Sequence, residues 1–557
     1  MSQNHPLRGS ALDRRTFLRL MTALAGGSVL AACGQAAPGA APNVSAPTAM
    51  PQAAEPTLAP TAVAFDPDAG VALGVSRSLV LGEEDPWYTH SSLMCWEPLV
   101  GLDDRLNPIP VLAEGWELSE DGLTWTFQLR QGVQFTDGEP FNAAAVIANI
   151  ERNIQISPRS SNFFTMNAPL AYGDLAEVTA DGDYTVIFRH NQPFPVMEAT
   201  MSNFFSAMFS PRSFTAEGNF SGIPGTTGPF RLVEWERDQS YRLERNPDYW
   251  GVPANVREIV FQQIGDANTR QAALESGQVD ALVELGALGL PQAAALRERT
   301  DLTVAAGPIT LAQWIHFNCG RPPFNDIRLR QAVAFALDRQ FIVDELAFGF
   351  GQAQTGILST LSERWFSPQG VVPYDPTRAE ALAAEALQGQ RATVIMPFDP
   401  NNARIPRELP EYLQSVLEPL GFDLQLQAVE SAVLTDVVRQ GDWDLRLTNG
   451  FGWANGDPDF RFRPHLHSEG STNTTQNGGY RNAQMDQLID SGVLERDQQR
   501  RFAICEQIQA LAAEEVPALV LYDVISPYAF NPTIDNLGLR ITYQPTLELM
   551  TKRASGS

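Results

Sequence analysis

Leu112 to Arg130 reads LAEGWELSEDGLTWTFQLR. Trp116 and Leu118, then Trp125, Phe127 and Leu129, alternate with polar residues on either side of Ser119-Glu120-Asp121-Gly122. A period of two places large side chains on one face of an extended chain, and Asp-Gly suits a tight turn. The stretch therefore predicts a β-hairpin. A second hairpin is predicted where Leu175, Val178 and Tyr184-Thr185-Val186-Ile187-Phe188 flank Ala180-Asp181-Gly182-Asp183. Between the two, Ala143 to Ile154 carries the period of an amphipathic helix.

The same reading extends toward the C-terminus. After an Asn325-Asp326 cap, the run that follows predicts a helix with Ile327, Val333, Leu337, Phe341 and Leu346 facing a core. Arg500 to Glu514 predicts another, ahead of a strand at Ala518 to Tyr522. Strands and helices alternate along the body, which implies an α/β fold of mixed sheets with packed helices in more than one lobe. No repeat of solenoid length is visible.

Working back toward the N-terminus, Arg8, Arg14, Arg15 and Arg19 form a basic leader ahead of Leu20 to Leu30, an apolar run too short to span a bilayer. This is the pattern of a signal peptide, residues 1–32. Leu30-Ala31-Ala32-Cys33 resembles the lipobox of bacterial lipoproteins, so Cys33 is the expected lipidation site and mature N-terminus. Asp13 to Arg19 resembles a twin-arginine export signal; the Sec route is the alternative. Residues 33–72 are rich in Ala, Pro, Thr and Ser, cannot bury enough surface to order themselves, and read as a disordered tether. Two acyl chains suffice for stable anchoring.

Of 557 residues, about 485 follow the tether, enough for two or three lobes at 44 % hydrophobic and 19 % charged. The formal net charge is −26. Removing the leader, with four arginines against Asp13, leaves the rest near −29, which argues against nucleic acid as a partner. Lys552 is the single lysine. With Cys33 lipidated, Cys95, Cys319 and Cys505 remain, compatible with one disulfide or three thiols, and their spacing is not that of a metal cluster.

A family resemblance rests on blocks in a fixed order. Cys95-Trp96-Glu97-Pro98-Leu99-Val100 opens it, followed by Leu112 to Arg130 and Phe135-Thr136-Asp137-Gly138-Glu139-Pro140. Thr227-Gly228-Pro229-Phe230, Arg245-Asn246-Pro247-Asp248-Tyr249-Trp250, Leu274 to Asp280, Pro323 to Ala332 and Gly456-Asp457-Pro458-Asp459 continue it. Over roughly residues 73–545 the chain resembles the bacterial extracellular solute-binding proteins of family 5, which bind dipeptides, oligopeptides, glutathione and nickel. The resemblance implies an α/β, two-lobed periplasmic-binding-protein-like clamshell (type II, cluster C). Lobe I is expected from 73–92, 226–308 and 520–557, with a subdomain inserted at 93–225, and lobe II from 309–519. Crossings between the lobes are expected near Gly307 and Leu519.

The function implied is that of a substrate-binding lipoprotein of an ABC importer, at the periplasmic or extracytoplasmic face. It captures a small peptide or peptide-like solute and delivers it to the permease subunits. A nickel or other metal chelate is the alternative cargo, and a secreted hydrolase the remote one. The chain reads as a monomer, with no cofactor: it has neither GxxxxGK[ST] nor GxGxxG. It is expected not to be an enzyme, since GxSxG, HExxH and a serine-lysine pair of the penicillin-recognising kind are all absent.

Candidate ligand residues follow from the resemblance. Tyr88 and Thr89 match a pocket-lining pair of nickel-binding relatives, and Arg159 falls on a chelate arginine or is a solvated residue at a helix end. The second chelate arginine falls near Asn203 or Phe204, and the pocket histidine near Asn449. Trp453 reads as pocket wall or lobe core. Asp457 is the nearest candidate to hold a peptide amine, or a turn residue before Pro458. His465 and His467 are spaced to share one side of a strand and are weak metal candidates.

Overall fold

The computed structural model describes residues 65–76, 95–156, 172–202, 206–402, 404–451, 456–542 and 544–554. The leader, Cys33 and the tether lie outside the described residues, as do Tyr88, Thr89, Arg159, Asn203, Phe204 and Trp453.

β1 (Gly70–Val75), β2 (Val100–Leu102) and β3 (Pro108–Pro110) precede the first hairpin, β4 (Ala113–Leu118) and β5 (Thr124–Leu129). The second hairpin is β6 (Leu175–Ala180) and β7 (Thr185–His190). The four join in one antiparallel sheet, β4-β5-β7-β6. Both turns lie where Asp-Gly predicts them: Gly122 and Gly182 take φ of 73° and 71°, open to glycine at little steric cost. Trp125, Phe127 and Leu129 are buried while their neighbours are not. Against this face packs the helix Ala143–Ile156, with Val146 and Ile150 fully buried.

The larger sheet adds β8 (Phe230–Glu236), β9 (Ser240–Arg245), β10 (Glu258–Gln263), β11 (Ala281–Leu282), β12 (Thr303–Phe317) and β13 (Gly351–Ala353). β14 (Ala392–Phe398) and β15 (Phe422–Ala428) form a parallel pair; β16 (Leu445–Phe451) and β17 (Ala518–Phe530) complete the large sheet. Its nine strands run β16-β12-β17-β11-β1-β10-β9-β8, with β13 also on β17. β1 pairs in parallel with β10 and β11, and its run GVALGV is nearly all apolar because a central parallel strand is covered on both faces.

Two long antiparallel strands, β12 and β17, pair along most of their length. Thr303 to Pro308 pair with Phe530 to Ile525, Ala312 to His316 with Asp523 to Ala518, and the register breaks between. β17 thus runs unbroken through Leu519, and is longer than the strand predicted at Ala518 to Tyr522. Separate apolar clusters fill each side: one around the β4–β7 sheet, two around β1 and β11, and two around the far ends of β12 and β17. The first cluster also takes in Leu285, Ile309, Leu311 and Phe460 from distant parts of the chain.

The helix predicted after Asp326 differs from expectation. It spans Ile327–Ala336 and stops at Leu337, whose φ and ψ are −92° and 115°. Asp338 then accepts a hydrogen bond from the Phe341 N–H at 3.0 Å, so its carboxylate competes for the backbone and caps a new turn. Leu337 and Val333 are still fully buried. The final helix spans Gln498–Glu515, capped by Asp497. Among the described residues no helix is long and apolar enough to cross a membrane, and Cys95, Cys319 and Cys505 form no disulfide with one another. Burial pushes Cys319 up to about 11 and Cys505 up to about 12.

Candidate functional site

The family blocks converge first on a joint rather than a cavity. Glu97 is buried, and its carboxylate accepts hydrogen bonds from Tyr249 Oη at 2.7 Å and Trp250 Nε1 at 2.8 Å. Burial pushes its pKa up to about 7, against the pull of these bonds and of Arg130. The Arg130 guanidinium stands 4.4 Å over the Trp250 ring. Asn246 Nδ2 donates to the Gly228 carbonyl, and the Gly228 N–H to the Cys95 carbonyl. Four separated blocks thus build one joint between the β4–β7 sheet and the large sheet. Likewise Asp280 accepts the Ala72 N–H at 2.8 Å and the Lys552 ammonium at 3.0 Å.

β16, β12 and β17 lie side by side at one edge of the large sheet. Gln313 on β12 lies opposite Asn449 on β16. Asn449 Nδ2 donates to Gln313 Oε1 at 2.9 Å and to the Arg404 carbonyl at 3.2 Å. Asn449 Oδ1 is buried without a hydrogen-bond partner among the described residues. Asn449 lines a void of about 40 Å³ together with Leu285, Leu288, Tyr522 and Ser526 on one side and Phe350 and Arg404 on the other. That volume holds a water or the tip of a polar group.

Asp457 has a different setting. Both its oxygens are engaged by Arg501, at 2.7 and 2.8 Å, and Oδ1 also accepts the Asp459 N–H at 2.9 Å. The ion pair is internal, with side chains 9 % and 13 % exposed. Beside it, Gly456 takes φ of 73°, and a Cβ there would lie 2.4 Å from the Leu106 carbonyl oxygen, so two distant segments touch backbone to backbone.

His465 and His467 do not share a strand. His465 lies in the helix Asp459–Leu466, which His467 caps, because Pro458 and Asp459 start a helix where the alternation of histidines suggested extension. His465 Nδ1 meets His316 Nε2 at 3.1 Å and Thr472 Oγ1 at 3.1 Å, while Thr448 Oγ1 meets His316 Nδ1 at 3.3 Å. The His316 ring stacks on Trp314, and the His465 ring lies tilted against it at 4.5 Å between centroids. Burial holds His316 well below the usual range and His465 down to about 3, so the rings are neutral. His467 faces Asp490 instead, at 3.5 Å. Among the described residues no three His, Cys, Asp or Glu side chains gather to hold a metal.

Sequence reasoning missed Gln313, Arg461 and Arg446, whereas His316 beside Trp314 reads from the sequence as a packed or surface residue and is buried against that ring. Arg461 is wholly buried with its guanidinium 4.5 Å over Trp314, and Asp523, pushed up to about 6 by burial, is the carboxylate whose charge acts on it. The available signal was an arginine inside an otherwise apolar strand at Leu445-Arg446-Leu447, a residue type rarely buried without a purpose.

Comparison with known proteins places this geometry. Residues 107–473 match the family described as bacterial extracellular solute-binding proteins, family 5 Middle. The glutathione-binding protein GsiB of Salmonella typhi is 28 % identical over 452 residues, covering 79 % of this chain and 85 % of that protein. The structure of NikA from Brucella suis in complex with Fe(III)-EDTA superposes with a TM-score of 0.77 at 23 % identity, covering 87 % of this chain and all of that one. The dipeptide-binding protein of Pseudoalteromonas sp. SM9913 in complex with Met-Leu gives 0.73 at 23 % identity over the same 87 % of this chain. The two-lobed clamshell fold is thereby shown. The matched segment spans more than half of the sequence, and the chain belongs to the bacterial extracellular solute-binding proteins of family 5, the non-enzymatic substrate-binding components of ABC importers.

Proposed function

We propose that this chain is an exported, lipid-anchored receptor that closes two lobes around a small peptide or peptide-like solute and hands it to an ABC permease. One observation carries the reading: Asn449, whose side-chain oxygen is buried without a hydrogen-bond partner among the described residues, lines a void between residues assigned to the two lobes. An acceptor in that state is costly until a donor arrives, and peptides supply amide and ammonium donors. The relatives named for glutathione and solved with Met-Leu support the same class. Under this reading Cys33 carries the lipid and 33–72 is the tether. Lobe I is 73–92, 226–308 and 520–557, lobe II is 309–519, and 93–225 is the inserted subdomain. Tyr88, Thr89 and Trp453 line the cleft, and Arg159 holds a ligand carboxylate.

Closure follows from contact with both lobes, and a micromolar ligand brings about 8 kcal/mol to draw on. The relative solved with Fe(III)-EDTA favours a metal chelate as second reading, to be held by cleft side chains other than His465 and His467, whose rings are engaged elsewhere. Native mass spectrometry of the purified protein, with elemental analysis, tests both. Co-purified short peptides are expected; stoichiometric metal with an organic acid would replace the first reading by the second.

A further inference from the structure

The face of β16 opposite Asn449 borders another cavity, of about 670 Å³. β16, the helix Ser431–Gln440 and the segment 469–476 wall it. The lining mixes apolar Pro397, Leu434, Val438 and Leu447 with polar Arg446, Thr448 and Gln476 and hydroxyls such as those of Thr435 and Thr475. Its volume is that of a site for a small organic molecule rather than a water.

Arg446 distinguishes this cavity. The residue is 8 % exposed, its Nη2 donates to Gln476 Oε1, and its Nε is buried without a partner. Most other buried arginines meet carbonyls or a carboxylate, and Arg152 donates its Nε to the Gly218 carbonyl. Arg330 donates to the carbonyls of Glu515, Val516 and Phe324, Arg270 to those of Ala287, Ile264 and Gly265, and Arg339 to those of Val520 and Val372. Arg501 has Asp457, and Arg461 has the charge of Asp523. Arg446 has neither a collar of carbonyls nor a carboxylate beside it among the described residues; burial alone moves its pKa, down to about 10, so it is charged at neutral pH. The nearby His316 and His465 are neutral and add no charge. A buried cation without a counter-charge is held at a cost, which a bound anion removes. Arg439 also lines the cavity, and the opposing carboxylate, Glu469, is solvent-exposed, where its charge is screened.

We propose that this cavity binds the oxyanion of a small polar molecule, a carboxylate or a phosphate, with Arg446 as counter-charge and Gln476 and the surrounding hydroxyls as hydrogen-bond partners. The arginine fork matches either group. The site does not depend on which cargo the cleft takes.

The test is calorimetric titration of the full chain with inorganic phosphate and, separately, with succinate, on the wild type, Arg446→Gln and Thr475→Val. Binding of either anion to the wild type is expected, weakened about tenfold or more in Arg446→Gln. Phosphate alone or succinate alone identifies the source of the oxyanion. Should Arg446→Gln fail to fold, Thr475→Val, at an exposed position, decides by a several-fold loss. No heat with either anion, or unchanged affinities in the folded variants, overturns the proposal. Peptides retained by each variant in native mass spectrometry report on cargo capture separately, so that failure of the solute-binding reading is not confused with failure of this one.

Discussion

Asp457 lies in the block Gly456 to Asp459, and its pairing with Arg501 makes a sharp prediction. Both oxygens face the guanidinium at 2.7 and 2.8 Å, with side chains 9 % and 13 % exposed. Arg501 also donates Nε to the Gly492 carbonyl and stands 5.0 Å over Trp365. Asp457→Asn removes the charge and leaves a buried guanidinium unbalanced, which typically costs about 3–5 kcal/mol. Removing both charges, Asp457→Asn with Arg501→Met, is expected to recover much of that, because the loss in the single variant is the penalty of an unpaired charge. Urea unfolding followed by tryptophan fluorescence gives the three stabilities, and native mass spectrometry gives the retained cargo. A stability change below about 1 kcal/mol in Asp457→Asn, together with loss of co-purified peptide, would refute the reasoning and make this carboxylate the partner of a ligand amine.

Three further outcomes are expected. Glu97 titrates near 7 when folded against an ordinary 4.5, so the native state binds the extra proton and stability falls as pH rises between those values, by on the order of 3 kcal/mol; Glu97→Gln should flatten that slope in urea unfolding between pH 4 and 8. His465 is held down to about 3 by burial, so the unfolded chain takes the proton first and stability is lost as pH falls from about 6.5 toward 3; His465→Gln should reduce this acid sensitivity, and an unchanged slope would remove the ring from the account. Gly456→Ala should cost about 1–3 kcal/mol in thermal unfolding, because the new Cβ meets the Leu106 carbonyl oxygen at 2.4 Å with φ at 73°.

How much of the molecule could be read beforehand depends on distance along the chain. The hairpins at Gly122 and Gly182 and the caps at Asp326 and Asp497 are local matters of turn chemistry and of a carboxylate near its own backbone N–H groups. The break at Leu337 was missed although Asp338 stands beside it, because the apolar period continues through it and Asp338 had to be weighed against that period. For the site, Asn449 was named from alignment with a pocket histidine, and the structure puts its amide between Gln313 and Arg404. The family blocks, read as a functional signature, turn out to hold Glu97, Tyr249, Trp250 and Asn246 in a joint.

By itself the sequence determined the family, the α/β character, the two hairpins at Gly122 and Gly182 and the helix between them, since alternation, caps and turns act within a few residues. Tertiary structure decided which charges are balanced. The His316–His465 contact spans 149 positions, the Asp457–Arg501 pair 44, and Arg446 stands out only after every carbonyl and carboxylate around it has been placed. The cost of burying a charge depends on all neighbours in space, and no window along the chain contains them.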